Sequence, residues 1–362
     1  MKKNKKVVSL FTGCGGSDLG IIGGFTFLNK KYSKHPAKII FANDNDKPAV
    51  DTYKLNFGNE IVLDDINKIE TSTIPAHDML IAGFPCQPFS IVGMRKGFYD
   101  YRGLLFHEIT RVLKAHQPSV FIAENVKGLT HMDKGNALEI ILDEFNSAGY
   151  TINHKVLHAA DYGVPQKRER LFIVGFRNDL NKKFKFPDPI HSEDGNDGKK
   201  KWVSLGSVID ALIPEDPKYY FSKRAVDGLK KSNKAFNKGR AQDLNKPSNT
   251  VGSHLAKVSL NGTDPVLLVD KDNELYRRFT PREAARIQSF PDDFKFAGSD
   301  LHAYRQIGNA VPPVLMWHVA NAVFAQLEES LTEKTSNSDT KINVSSNNEI
   351  IFQNSYLKVR VK

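Results

Sequence analysis

Cysteine is nearly absent from this chain: Cys14 and Cys86 are the only two in 362 residues. A disulfide framework and a cysteine-rich zinc site are therefore out of reach, and no metal is expected. Long hydrophobic runs are missing too. No uninterrupted apolar stretch approaches the ~20 residues that span a bilayer, so no membrane partner is expected. The opening Met1-Lys-Lys-Asn-Lys-Lys is basic but lacks the apolar core and small-residue cleavage site of a signal peptide. These absences, with no internal repeat, point to a cytoplasmic protein.

What is present is the composition of a soluble globular chain, 40% hydrophobic and 25% charged, long enough for one large or two ordinary domains. The net charge is +10. The excess is concentrated between Lys199 and Lys246, where twelve Lys or Arg face five acids. Such a segment is either a solvated surface or the footprint of a polyanion, and the motifs decide for nucleic acid.

From residue 7 to about 175, short apolar runs alternate with amphipathic stretches. Strands are predicted at 7–11, 39–42, 60–63, 79–82, 120–123, 150–157 and 170–175, with helices at 103–115 and 136–147. This is βαβ repetition: an α/β fold with a doubly wound, mostly parallel sheet. The last two strands have no helix between them and should pair antiparallel at the sheet edge. Near residue 180 the pattern changes. A second, smaller domain is expected, then helices at 281–288 and 313–331, a polar linker from 332 and a strand-like tail at 356–362.

The segment Ile81-Ala-Gly-Phe-Pro-Cys-Gln-Pro-Phe-Ser90 follows an apolar run that closes on Gly and Pro, a buried strand that stops abruptly. In open α/β sheets chemistry sits just past the carboxyl ends of strands, and a thiol there is placed to form a covalent adduct. A lone cysteine is more often a small core residue, and three other segments overturn that reading. The first is Phe11-Thr-Gly-Cys-Gly-Gly-Ser-Asp-Leu-Gly20, where Gly13, Gly15 and Gly16 allow a sharp turn and close approach to a nucleoside. Asp44 after the second strand is placed for ribose hydroxyls and Asp65 after the third for an adenine amino group; each has a helix-capping alternative. The second is Phe121-Ile-Ala-Glu-Asn-Val-Lys-Gly128, whose Glu124 ends a buried run, so that desolvation favours its protonated form. Its alternative is a simple pair with an arginine. The third is Asp161-Tyr-Gly-Val-Pro-Gln-Lys-Arg-Glu-Arg170, where Arg168 and Arg170 are read as alternating onto one face, suited to phosphate and base carbonyls or to guarding a sheet edge.

With Gln166-x-Arg168-x-Arg170, Arg278-Phe-Thr-Pro-Arg-Glu283 and Gln306-Ile-Gly-Asn-Ala-Val-Pro312 in the same order, the chain resembles the DNA (cytosine-5)-methyltransferases of prokaryotic restriction–modification systems. The resemblance covers residues 7–175 and roughly 276–328, and departs from the usual pattern at Asp44, where the family carries Glu. It implies the class I fold that uses S-adenosylmethionine. The implied layout is a catalytic domain at 1–178, a target recognition domain at 179–302, a return to the catalytic domain at 303–331 and a tail at 332–362. It also implies that Cys86 attacks carbon 6 of a flipped cytosine, that Glu124 serves ring nitrogen 3, and that Arg170 with Arg168 lies near the base carbonyl and target phosphates. Phe11, Gly13, Gly15, Gly16, Asp44, Asp65, Ile66, Pro85, Leu105, Asn309 and Val311 are the implied cofactor positions. Ser90, Arg95 and Lys96 of a Gly-hinged basic loop, Gln166, and Lys223, Arg224, Lys230 and Lys231 are the implied DNA contacts. The partner is double-stranded DNA; a monomer is expected, with a cognate endonuclease in the same system that is not a stable subunit.

A Rossmann oxidoreductase would share the glycines and the ribose acid but gives no reason for Pro85-Cys86, Glu124 and the arginine pair. A transfer-RNA cytosine methylase of the same fold carries a second cysteine in its recognition region, and no cysteine follows Cys86 here. A non-catalytic homologue would have lost Cys86 or Glu124. The replacement Cys86→Ser is expected to abolish methyl transfer, followed with labelled donor, while calorimetric binding of S-adenosylmethionine stays near wild type. Transfer near the wild-type rate would remove the covalent mechanism.

Overall fold

The structure is a computed structural model and describes residues 4–85, 105–210, 216–231, 241–256 and 264–336, with side chains undescribed at 229–230 and 329–336. Cys86, Ser90, Arg95, Lys96, the side chain of Lys230 and the tail beyond 336 lie outside this description.

Seven strands form the central sheet: β1 (Lys5–Leu10), β2 (Ala37–Asp44), β3 (Ile61–Leu63), β4 (Met79–Gly83), β5 (Val120–Val126), β6 (Tyr150–His158) and β7 (Glu169–Arg177). Their spatial order is β3-β2-β1-β4-β5-β7-β6. The first five run parallel, and β7 inserts antiparallel between β5 and β6. The two last strands thus pair antiparallel at the edge, with β6 outermost.

Side-chain alternation along the strands separates two apolar layers. Val7, Met79, Ile81, Val120, Ile122, Phe172 and Val174 face one side. Val8, Leu10, Leu80, Ala82, Phe121, Ala123, Leu171 and Ile173 face the other. Helices α3 (Leu105–His116) and α4 (Asn136–Ser147) cover the second side, with Phe106, Ile109, Val112 and Leu113 in helical spacing toward the sheet. The first side is covered by α1 (Gly16–Ile22), α2 (Lys47–Phe57) and the long C-terminal helix α8 (Pro313–Ser336).

Between the sheet and α8 the chain forms short two-stranded pieces, α5 (Lys223–Lys231), α6 (Pro281–Ile287) and α7 (Asp300–Asn309). Helix α6 starts as its sequence dictates. Thr280 and Glu283 form a reciprocal capping box with Pro281 at the first helical position. Phe279, Ala284, Ile287, Phe290 and Phe294 join the same core layer as the sheet and α8. The expected boundary at residue 302 therefore does not coincide with a break in packing. Among the described residues, Asp300–Glu328, which spans α7 and most of α8, is long and apolar enough to cross a membrane by length and composition alone. Polar residues interrupt the stretch, and its apolar residues Val314, Leu315, Val319, Ala320 and Val323 are packed beneath the sheet.

Helix α1, which carries the glycine turn, lies against α8 at Gly20. A Cβ there would sit 2.5 Å from Met316 Cβ and 2.7 Å from the Pro313 carbonyl oxygen. Gly20→Ala is expected to cost about 1–3 kcal/mol by overpacking, read from thermal unfolding by circular dichroism. An unchanged midpoint would show that this interface opens freely.

Candidate active site

The turn after β1 is built on left-handed backbone at Phe11 (φ 54°), Gly13 (φ 57°) and Gly15 (φ 92°). Two of its glycines are required by close approach. A Cβ at Gly15 would reach 2.3 Å from the Phe57 ring, and one at Gly16 2.6 Å from the Val311 carbonyl oxygen. At Gly13, by contrast, a Cβ would meet nothing within 4 Å, so that face of the turn is open. The carboxylate of Asp44 closes the turn from the neighbouring strand, accepting from the Gly13 amide at 2.7 Å and from the Asp46 amide at 2.9 Å. Burial pushes the Asp44 carboxyl above its ordinary range, and those amides hold it back. The side-chain Nδ2 of Asn43 donates to the carbonyls of Val62 and Asp64, which ties the end of β3 to the same place.

Asp65 accepts from the amide and side chain of Asn67 through one oxygen, capping a short 3-10 turn. Ile66 is buried in the second core layer, and its carbonyl accepts from Arg111. Leu105, the first residue of α3, packs against that layer. Asn309 is exposed at the end of α7, while Val311 is buried against Gly16. Cys14, inside the turn, is 2% exposed with its sulfur 3.8 Å from the Gln306 carbonyl oxygen. Burial pushes its thiol up to about 12, which excludes Cys14 as a thiolate nucleophile.

On the adjoining strands, parallel pairing sets Gly83 of β4 opposite Glu124 of β5. Arg170 enters from β7, two residues from Phe172, the partner of Glu124, and so shares its face. Its Nε lies 3.0 Å from Glu124 Oε1, with both side chains only 12–13% exposed. The other oxygen, Oε2, turns toward Gly83: a Cβ there would be 3.5 Å from Oε2 and 3.7 Å from the Phe11 carbonyl oxygen. Burial raises the Glu124 carboxyl's hold on its proton, and Arg170 then Arg168 oppose that. Asn125 Nδ2 donates to the Phe84 carbonyl at 3.1 Å, anchoring the segment that leaves β4 toward exposed Pro85. The glycine turn, the end of β4 and Glu124 thus converge. Asn125 was legible only as part of its motif; its task needed the fold.

Two expectations are corrected here. Arg168 is fully buried and donates to the carbonyls of Val251, Gly308 and Ala310 at 2.8–3.0 Å. Gln166, also fully buried, donates to Gln288 Oε1 at 2.6 Å and accepts from the Val251 amide at 2.8 Å. Neither side chain offers a surface to DNA. The reason lies in the path of the chain. Arg168 precedes β7, in a tight stretch whose amide bonds back to the Gln166 carbonyl, so strand alternation does not carry it beside Arg170. Together with Gln288, whose amide donates to the carbonyls of Ile307 and Ala310, these residues tie the 251 segment and the end of α7 to the start of β7. Lys223, Arg224 and Lys231 are exposed on α5. Among the described residues, no group of three or more His, Cys, Asp or Glu is gathered to hold a metal ion.

Comparison with known proteins agrees with this geometry. Residues 5–325 match the C-5 cytosine-specific DNA methylase family. The Type II methyltransferase M.NlaX of Neisseria lactamica is 39% identical over 327 residues, 89% of this chain and 97% of that protein. M.HaeII of Haemophilus aegyptius, also a Type II methyltransferase, is 37% identical over 90% of this chain and 94% of its own. Among solved structures, the S. pombe Dnmt2 methyltransferase shares the fold over 90% of this chain and 99% of its own, with a TM-score of 0.69 at 21% identity. The chain belongs to the C-5 cytosine-specific DNA methylases. It is a DNA (cytosine-5)-methyltransferase with the class I methyltransferase fold.

The buried amide network makes a direct prediction. Gln288→Leu removes one hydrogen bond each from the Gln166 side chain and from the Ile307 and Ala310 carbonyls, which keep their second partners, at about 0.5–1.5 kcal/mol for each bond lost. A clear drop in the denaturant midpoint is expected, and an unchanged one would show that water replaces the amide.

Proposed function

We propose that the enzyme methylates carbon 5 of one cytosine within a short double-stranded DNA sequence, with Cys86 as nucleophile, as the protective methylase of a restriction–modification system. The observation that carries the site assignment is Glu124. One oxygen is paired to Arg170 and the other turned toward the end of β4, from which the chain runs through Phe84 and Pro85 to Cys86.

The glycine turn suits a nucleoside cofactor. Each Asp44 oxygen already accepts one amide, and a carboxylate offers about four acceptor positions, so two remain for ribose hydroxyls. Gly13 leaves the turn open where such a group would lie. Phe11, Gly13, Gly15, Gly16, Asp44, Asp65, Ile66, Pro85, Leu105, Asn309 and Val311 are the positions assigned to hold S-adenosylmethionine. When bound, it supplies an electrophilic methyl group.

The chain's own residues do the rest. A stacked cytosine is out of reach, so the base is flipped from the duplex at a cost of a few kcal/mol. The Cys86 thiolate adds to carbon 6, which makes carbon 5 nucleophilic. Glu124 shares a proton with ring nitrogen 3, so negative charge does not accumulate on the ring. Arg170 holds Glu124 in position and lies beside the base carbonyl. After carbon 5 is methylated it loses its proton, and expulsion of Cys86 restores the double bond and yields 5-methylcytosine. Residues 179–302 present the groups that read the sequence, while Lys223, Arg224, Lys230 and Lys231 contact phosphates; Ser90, Arg95 and Lys96 lie in the loop that closes over the base. The enzyme acts as a monomer in the cytoplasm, with no endonuclease subunit.

Bisulfite sequencing of DNA exposed to the enzyme tests this reading. A single sequence context with protected cytosines is expected. Glu124→Gln should slow methylation by roughly 10²–10⁴-fold while gel-shift binding of the same DNA persists. Unchanged turnover in that variant would reduce Glu124 to a structural partner of Arg170.

A further inference from the structure

Beneath the glycine turn lies a carboxylate that the mechanism leaves unused. Asp18 is fully buried, and three hydroxyls from three elements converge on it. Ser9 of β1 donates to Oδ2 at 3.0 Å, Thr12 of the turn to Oδ2 at 2.5 Å, and Tyr53 of α2 to Oδ1 at 3.0 Å. Two of the hydroxyls, those of Thr12 and Tyr53, lead toward the pocket. Thr12 immediately precedes Gly13, and its own amide is bonded to the Asn43 carbonyl beside Asp44. The Tyr53 ring packs, tilted by 37°, at 4.6 Å from that of Phe57, the ring that abuts Gly15. We propose that Asp18 is a positioning residue for the methyl-donor pocket, holding the turn from Phe11 to Gly16 in its binding shape through Ser9, Thr12 and Tyr53. This rests on the reading that the turn binds S-adenosylmethionine.

Stability does not account for an anion in this place. Among the described residues no cation contributes to its ionisation, and burial pushes the Asp18 carboxyl up to about 6, against the pull of the three hydroxyls. A group whose folded pKa is raised favours the fold while protonated and loses that contribution as pH rises through the folded value. Here the window runs from about 4 to about 6, so at neutral pH the ionised carboxyl works against folding. The other titratable groups near it, Tyr53 and Cys14, are pushed up by burial and stay protonated at neutral pH. Asp44 across the turn is raised as well, and its titration is common to wild type and to variants at position 18.

The test is calorimetric titration of S-adenosylmethionine into the DNA-free full chain, beside thermal unfolding at pH 8 and pH 5. For Asp18→Asn, Kd should rise tenfold or more. The Tm at pH 8 should equal or exceed that of wild type, and any gain should shrink at pH 5, where wild-type Asp18 is itself protonated. Thr12→Ser, which keeps the hydroxyl, should bind as wild type does, and Thr12→Val should not. Wild-type affinity in Asp18→Asn overturns the proposal, and so does a loss of affinity that only follows a lowered Tm in Asp18→Asn and Thr12→Val alike. Failure of the wild-type chain to bind S-adenosylmethionine overturns the assignment of the pocket, and the proposal with it.

Discussion

The ion pair between Glu124 and Arg170 is the interaction on which the active end of the sheet depends. A carboxylate this deeply placed is costly unless a cation shares its surroundings, and removing one partner of such a pair is worse than never having formed it. The contact from Arg170 Nε falls on Oε1, and the pair holds Glu124 in position. The second oxygen stays turned toward Gly83, where even a Cβ would stand at ordinary contact distance, 3.5 Å from it. The parallel register of β4 and β5 and the antiparallel register of β5 and β7 both serve this geometry.

Around that pair, buried polar side chains tie separate segments of the chain together. Arg168, Gln166 and Gln288 spend most of their donors on main-chain carbonyls of segments far apart in sequence. They bind the region expected to read DNA to the strand that carries Arg170. Gly308 permits the same junction in another way: a Cβ there would lie 2.3 Å from the backbone of Gly252 and Ser253. The buried Arg277–Glu283 pair, with contacts of 2.6 and 2.7 Å, fixes the entry to α6 in the same layer.

Asp18 stands apart from this pattern. Its neighbours donate hydrogen bonds but no positive charge, so the fold bears a cost that Glu124, beside Arg170, is spared. Costs of that kind concentrate where geometry matters more than stability.

Much of the fold was determined by the sequence alone, because the relevant forces are local. Short apolar runs gave the strands within a few residues, the Thr280-Pro281-x-Glu283 spacing started a helix where it stands, and the glycines marked the turn. Cys86, Glu124 and Asp44 stood out because their residue types are unusual after buried strands. Tertiary structure alone decided the direction of Arg168 and Gln166, since a side chain's face at a strand's entry depends on where the chain arrives from. It decided that the segment from Phe279 to Phe294 joins the core under the sheet, because residues distant in sequence supply the apolar partners. And it decided the task of Asp18, whose three hydroxyl partners lie 9, 6 and 35 residues away, beyond the reach of any periodicity.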